Sequence, residues 1–294
     1  MNQSIKTGDP RKYGVSSAVK HSFEQLRMAK KIGDYFCTMS TWPKSVSLRE
    51  YMKDMPFQKK EKTLPVIIAQ VVLALKYLEA LSFVHENINL DNIMIRSNLA
   101  SDIPEVVIVG LHSVGSRYLS FSYDISWILG FENRTERYIC ERGYRPPEDY
   151  VKVGVMDPRL RSSWMLGATI YAALAGMPPY GYTFTLFGLT PWSDERLHET
   201  MVEVEKSEKN TYSPIYQLRN GVLLKVMERL LDCSPYNRPS IGSLSPNLLK
   251  ELVESGSIGM PSLDDTLSLW SVFKSAAVAA NPFHRDHATS TQNS

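Results

Sequence analysis

The sequence predicts an α+β chain that is mostly helical. Two strongly apolar stretches of helical length, residues 63–83 and Ser163 to Ala175, read as buried core helices. Amphipathic patterns from Asn220 to Leu231 and from Pro246 to Glu254 add two surface helices. Strand signals are few: a β-branched run from Val106 to Val109 and a shorter segment from Tyr35 to Trp42.

Taken in order, residues 1–15 are polar, contain Gly8, Pro10 and Gly14, and read as a flexible arm. From Ser16 to Lys31, Val19, Phe23 and Leu26 fall at helical spacing and Gly33 closes the run, which predicts a helix. Ser47-Leu48-Arg49-Glu50 is a capping box, so a short helix starts there. Thr63 reads as an N-cap with Pro65 in the first turn of the long helix, which runs to about Phe83. Residues 113–143 are mixed and read as loop. The helix from Ser163 ends at Gly176, and Pro178-Pro179 blocks its extension. Leu263 to Ala280 predicts a last helix, and residues 281–294 a disordered tail.

Composition narrows the function classes. Apolar residues make up 43% of the 294 and charged residues 22%, which is ordinary for a soluble globular protein. With 33 basic and 31 acidic residues the net charge is +2, so nothing points to nucleic acid or a membrane as a partner. The apolar stretch from Val66 to Val84 carries Gln70, Lys76 and Glu79, which a membrane span tolerates poorly. Cys37, Cys140 and Cys233 show neither zinc nor disulfide spacing and read as free thiols of a reducing compartment, cytoplasmic or nuclear. No signal peptide is expected from the polar Met1 to Thr7. The first 45 residues hold only Gly8, Gly14 and Gly33, so no glycine-rich phosphate cradle is spelled there.

The informative motif follows the long helix: His85-Glu86-Asn87-Ile88-Asn89-Leu90-Asp91-Asn92. It resembles the protein kinase catalytic loop, H-R-D-L-x-x-x-N. Four further segments support the resemblance in order. Val106 to His112 stands where kinases have a strand followed by D-F-G, and Gly143-Tyr144-Arg145-Pro146-Pro147-Glu148 resembles the A-P-E end of the activation segment. Trp164-Met165-Leu166-Gly167, with its exit at Gly176 to Tyr180, resembles the buried kinase helix. Leu230 to Ser240 resembles the segment whose arginine pairs with the A-P-E glutamate. The resemblance implies a protein kinase-like fold made mainly of the C-terminal lobe, over residues 46–255. A reduced N-terminal lobe or cap would span 16–45, and a helical extension 256–280.

The resemblance also implies which residues do chemistry, and these depart from the pattern. The catalytic aspartate, which accepts the substrate proton, is Asn87, an amide with no basicity at neutral pH. The D-F-G aspartate that carries magnesium is Gly110, and the loop lysine is Asn89. Asn92 matches the second metal ligand, but one neutral amide is a poor Mg²⁺ site. Glu86 inverts the charge of the loop arginine that receives an activation-segment phosphate in many kinases. The scaffold positions match: His85 as a packing residue, Glu148 and Arg238 as a buried ion pair, Trp164 in the helix, and Ser162 for an aspartate that bonds the loop backbone. Asp91 and Asp102 are weighed as substitute bases and set aside. Trp127, Ile128 and Leu129 read as core or as a hydrophobic contact for a partner.

The expectation is a catalytically inactive kinase homologue, a pseudokinase. It would act as a protein-binding scaffold or allosteric regulator, with an active kinase or that kinase's substrate as partner. No cofactor is expected; ATP and Mg²⁺ belong to the alternative, a divergent Ser/Thr kinase or kinase-fold enzyme with residual ATP binding. By resemblance to how kinase lower lobes bind proteins, the region around 120–140 and the stretch 182–215 are the expected docking faces.

Overall fold

The computed structural model describes residues 22–32, 35–41, 44–98, 101–116, 140–151 and 157–256. The expected arm 1–15, the helix 263–280, the tail 281–294 and the partner candidates Trp127, Ile128 and Leu129 lie outside these residues. Helix and strand are mixed, as an α+β reading requires.

The N-terminal described part corrects one expectation. Residues 25–31 are not helical: β1 (Gln25–Ile32) pairs antiparallel with β2 (Tyr35–Thr41). The helical spacing of Val19, Phe23 and Leu26 was fortuitous. Phe23 instead makes a parallel bridge to Ile108 and is buried, while Met28 stands exposed opposite Met39.

A three-stranded sheet follows, ordered β3 (Val46–Ser47), β5 (Ile93–Asn98) and β6 (Ser101–Ile108), all antiparallel. The apolar pairs Ile93–Ile108 and Ile95–Val106 anchor its register and are buried. Ser47 caps α1 (Leu48–Lys53), its hydroxyl accepting the Glu50 N–H at 3.2 Å.

The long helix α2 (Phe57–Ala80) starts six residues before Thr63, after Pro56, and Pro65 is carried inside it. Thr63 is therefore a buried interior residue, not an N-cap. Of all the described helices, α2 alone is long and apolar enough to cross a membrane, and 78% of its apolar window is buried within the fold. Beside it packs α3 (Pro158–Ala175), capped by the Asp157 carboxylate and ended by Gly176 in the left-handed region. The helix thus begins five residues earlier than its apolar run suggests.

Between α2 and α3 lie β4 (Phe83–His85) and β7 (Val114–Ser116), which pair antiparallel. After α3 comes a hairpin, β8 (Tyr182–Thr185) and β9 (Gly188–Pro191). Three helices complete the described chain: α4 (Asp194–Ser207), α5 (Gly221–Leu230) and α6 (Pro246–Ser255). Asn220 caps α5 and Ser245 caps α6 through their side-chain oxygens. The core lies between α2, α3, α5 and the three-stranded sheet, with Trp164, Leu166, Ile67 and Ile68 among its fully buried members.

Candidate functional site

Two strand pairings build the site. β4 against β7 fixes His85 opposite Val114, and β5 against β6 fixes Ile93 opposite Ile108. The loop 86–92 and the segment 109–113 are thereby held side by side. Glu86 N–H donates to the Ser113 carbonyl and Val109 N–H to the Asn92 carbonyl, both at 3.0 Å.

The loop's three asparagines bond within the loop itself. Asn87 Oδ1 accepts from Asn89 Nδ2 at 3.0 Å. Asn89 Oδ1 accepts the backbone N–H groups of Asp91 and Asn92, each at 2.9 Å, which closes the turn as a side-chain mimic of a backbone bond. Asn92 Nδ2 donates to the Asn87 carbonyl at 2.8 Å. Ile88 and Leu90 point into the core and are buried. Asn87 and Asn89 are buried too.

Gly110 adopts φ 75°, in the left-handed region. A Cβ added there would lie 2.9 Å from Asn92 Oδ1. Both the backbone and the space beside Asn92 therefore suit glycine. Glu24, which the sequence reading had not placed here, reaches this spot from the N-terminal side. Its Oε1 accepts the Leu111 N–H at 2.8 Å and its Oε2 accepts the Ser40 hydroxyl at 2.6 Å. No motif announces Glu24; only the pairing of residues 23–24 beside Ile108 brings it in.

His85 is a buried, structural imidazole. Its Nε2 lies 3.0 Å from the Val109 carbonyl and donates to it, while Nδ1 accepts the Asn87 N–H at 3.3 Å. That pair of roles fits the neutral ring. Burial, partly offset by the Val109 bond, pushes its pKa down to about 4.

Beneath the loop, Ser162 donates its hydroxyl to the His85 carbonyl at 2.5 Å, from the second turn of α3. Thr169 sits two turns further on, 3.4 Å from the Ile88 carbonyl. On the outer side, Arg49 forks onto Asp91 (2.9 and 3.0 Å) and reaches Glu141 at 3.0 Å. Asp91 is thus engaged by a cation, not aimed as a base. Asp102, the other aspartate weighed, is on β6.

Glu86 meets Arg161 Nη1 at 3.3 Å, and the same buried guanidinium binds Asp149 through Nε and Nη2 at 2.6–2.9 Å. The cation in this region therefore comes from α3, and the loop supplies the anion. Further down, Glu148 and Arg238 form a two-point ion pair at 2.7 and 3.0 Å, both buried. Arg238 also donates to the Leu160 and Asp232 carbonyls, and its guanidinium lies over the Trp164 ring at 5.0 Å. Gly143, at φ 86°, leads into this segment; a side chain there would press on the Tyr180 carbonyl oxygen.

Among the described residues no group of three or more His, Cys, Asp or Glu is placed to hold a metal ion. No family model matches the chain. A probable serine/threonine-protein kinase of Dictyostelium discoideum is 26% identical over 197 residues, covering 64% of this chain. The likeness is to a kinase. The chain spans 41% of that relative's length.

Proposed function

We propose that this chain is a kinase-like protein without phosphotransfer activity, a pseudokinase that works by binding another protein. One observation carries the reading. The two positions that would deprotonate an alcohol and hold the nucleotide's metal are Asn87, a neutral amide, and Gly110, with no side chain at all. Asn87 Oδ1 is taken by Asn89, Asn92 Nδ2 by the Asn87 carbonyl, and Gly110 stands where a side chain would collide with Asn92. A Mg²⁺–triphosphate needs carboxylates and open coordination positions, and this set does not fit it. A positioned general base alone is worth roughly 10²–10⁴ in rate.

The preserved frame supports the binding half of the reading. The Glu148–Arg238 pair, the Ser162–His85 bond and the Arg161 cluster tie the loop and the segment 140–151 to the helices beneath. A lower lobe braced in this way suits a scaffold or an allosteric regulator, with an active kinase or its substrate as the protein bound.

The test is a thermal-shift titration with ATP, with and without Mg²⁺, beside a γ-phosphate transfer assay on a generic protein substrate. We expect no magnesium-dependent shift and no transfer. A ligand at 100 times its Kd stabilises by about 2.7 kcal/mol. A magnesium-dependent shift of that size, with transfer abolished by Asn92→Ala, would instead establish the divergent-kinase alternative suggested by the relative's name.

A further inference from the structure

Among the described residues, four of the nine large apolar side chains that stand exposed fall within six positions, on the β8–β9 hairpin. Leu186 and Phe187 are 102% and 100% exposed, Phe184 58% and Leu189 39%. The strand register explains the grouping. Tyr182, Phe184, Leu189 and Pro191 pair across one face, while Thr183, Thr185 and Thr190 share the other. Leu186 and Phe187 form the two-residue turn at the apex.

The fold does not ask for apolar residues there. Thr185 holds the turn: its Oγ1 accepts the Phe187 N–H at 3.2 Å and donates to the Gly188 carbonyl at 3.0 Å. Turns of this length favour Gly, Asn or Asp, whose backbone freedom or side-chain bonds serve the chain reversal. Leu and Phe offer neither and expose apolar surface to water. Apolar patches kept on the outside of a protein mark interaction sites.

The surroundings decide what kind of partner fits. No charged residue occurs from Gly181 to Ser193, but α4 follows at once. From Asp194 to Glu208 there are six carboxylates against Arg196 and Lys206. The exposed ones include Glu195, Glu199 and Glu203, one turn apart along the helix. The helix start is fastened to the hairpin. Trp192 Nε1 donates to Thr183 Oγ1 at 2.5 Å, and the Arg196 guanidinium stacks on the Trp192 ring at 4.3 Å.

We propose that the hairpin is a docking finger for a basic amphipathic protein segment. Apolar side chains of that segment would cover Leu186, Phe187 and Phe184, and its Lys or Arg residues would face Glu195, Glu199 and Glu203. The charges argue against the other occupants. A second copy docking through the same patch would bring the two acidic helices together, because a two-fold contact is self-complementary. An anionic membrane would repel the same acids. The inference rests on the binding role proposed above, and names the chemistry of what is bound.

The test uses the full chain and a fluorescein-labelled helical Leu–Lys peptide, read by fluorescence anisotropy, with a Leu–Glu peptide of the same pattern as control. Saturable binding of the Leu–Lys peptide alone is expected. Leu186→Ser/Phe187→Ser should weaken it at least about tenfold, equivalent to about 1.4 kcal/mol, while leaving the melting temperature unchanged. Glu195→Gln/Glu199→Gln should weaken it and reduce its salt dependence. Three results would overturn the proposal: equal binding by the Ser/Ser variant, variant-sensitive binding to phosphatidylcholine–phosphatidylserine vesicles in place of the peptide, or a variant-sensitive dimer in sedimentation. The Ser/Ser variant is also run in the ATP–Mg²⁺ thermal shift. A nucleotide shift there counts against the dead site alone, and loss of peptide specificity counts against the finger alone.

Discussion

At the residue scale, the Glu148–Arg238 pair separates packing from chemistry. Both side chains are almost completely enclosed, and Arg238 spends its remaining donors on backbone carbonyls. Glu148→Gln leaves a buried cation without its counter-charge, so we expect a loss of about 3–5 kcal/mol, read as a lower urea midpoint with unchanged slope. On the reading proposed above, installing aspartates at the two loop positions should not confer transfer. Asn87→Asp/Gly110→Asp puts a side chain on a left-handed backbone and against Asn92. It should cost about 1–3 kcal/mol and yield no γ-phosphate transfer. The loop could be picked out from the sequence because motif positions are local. Glu24 could not, since its arrival at Leu111 depends on a pairing across more than eighty residues. Nor could the inward turn of the Asn89 side chain, which depends on a backbone bend that residue identity leaves open.

At the element scale, α2 and the 3₁₀ turn Ile241–Ser243 are latched by two side chains. Lys76 Nζ donates to the Gly242 and Leu244 carbonyls, each at 2.7 Å, and Glu79 Oε2 accepts the Gly242 N–H at 2.9 Å. Burial raises the Glu79 carboxyl to about 7, with the Gly242 bond opposing. A carboxyl with a raised pKa in the folded state favours folding when protonated, so its contribution is complete below pH 4.5 and is lost as pH rises through 7. Glu79→Gln should therefore remove a loss of stability that in the parent chain is spread over pH 4.5 to 7, roughly 3 kcal/mol at most. Elements with strong apolar patterns were legible: α2 and α3 as continuous apolar runs, α5 and α6 as single apolar stripes. Of the β1–β2 hairpin, β2 was legible as the run from Tyr35 to Trp42, but β1 was not. Arg27, Met28, Lys30 and Lys31 are all exposed, so no buried face imposes the two-residue period that reveals a strand. The start of α2 was misplaced because a proline in a helix usually marks its first turn, yet here Pro65 is packed in the interior.

At the scale of the whole molecule, two buried titrations oppose each other. His85, held near 4, contributes stability that is present above 6.5 and lost as pH falls through 4. Glu79 acts in the opposite sense over an overlapping range. Melting temperature should therefore be nearly flat between pH 4.5 and 6.5 and fall on both sides. In Glu79→Gln the profile should instead climb steadily through that interval and level off. Differential scanning calorimetry across pH reads both curves. The Arg161 guanidinium has a consequence for control. Clasped by Asp149 along one edge and Glu86 along another, it has no fork left for an incoming phosphoryl group. The other guanidiniums of the segment Cys140–Val151 are engaged too, Arg142 with Asp194 and Arg145 with Asp149. On the binding role proposed above, output would be set by how much of the protein is made and by which companions compete for its surface, as with a connector and not a relay.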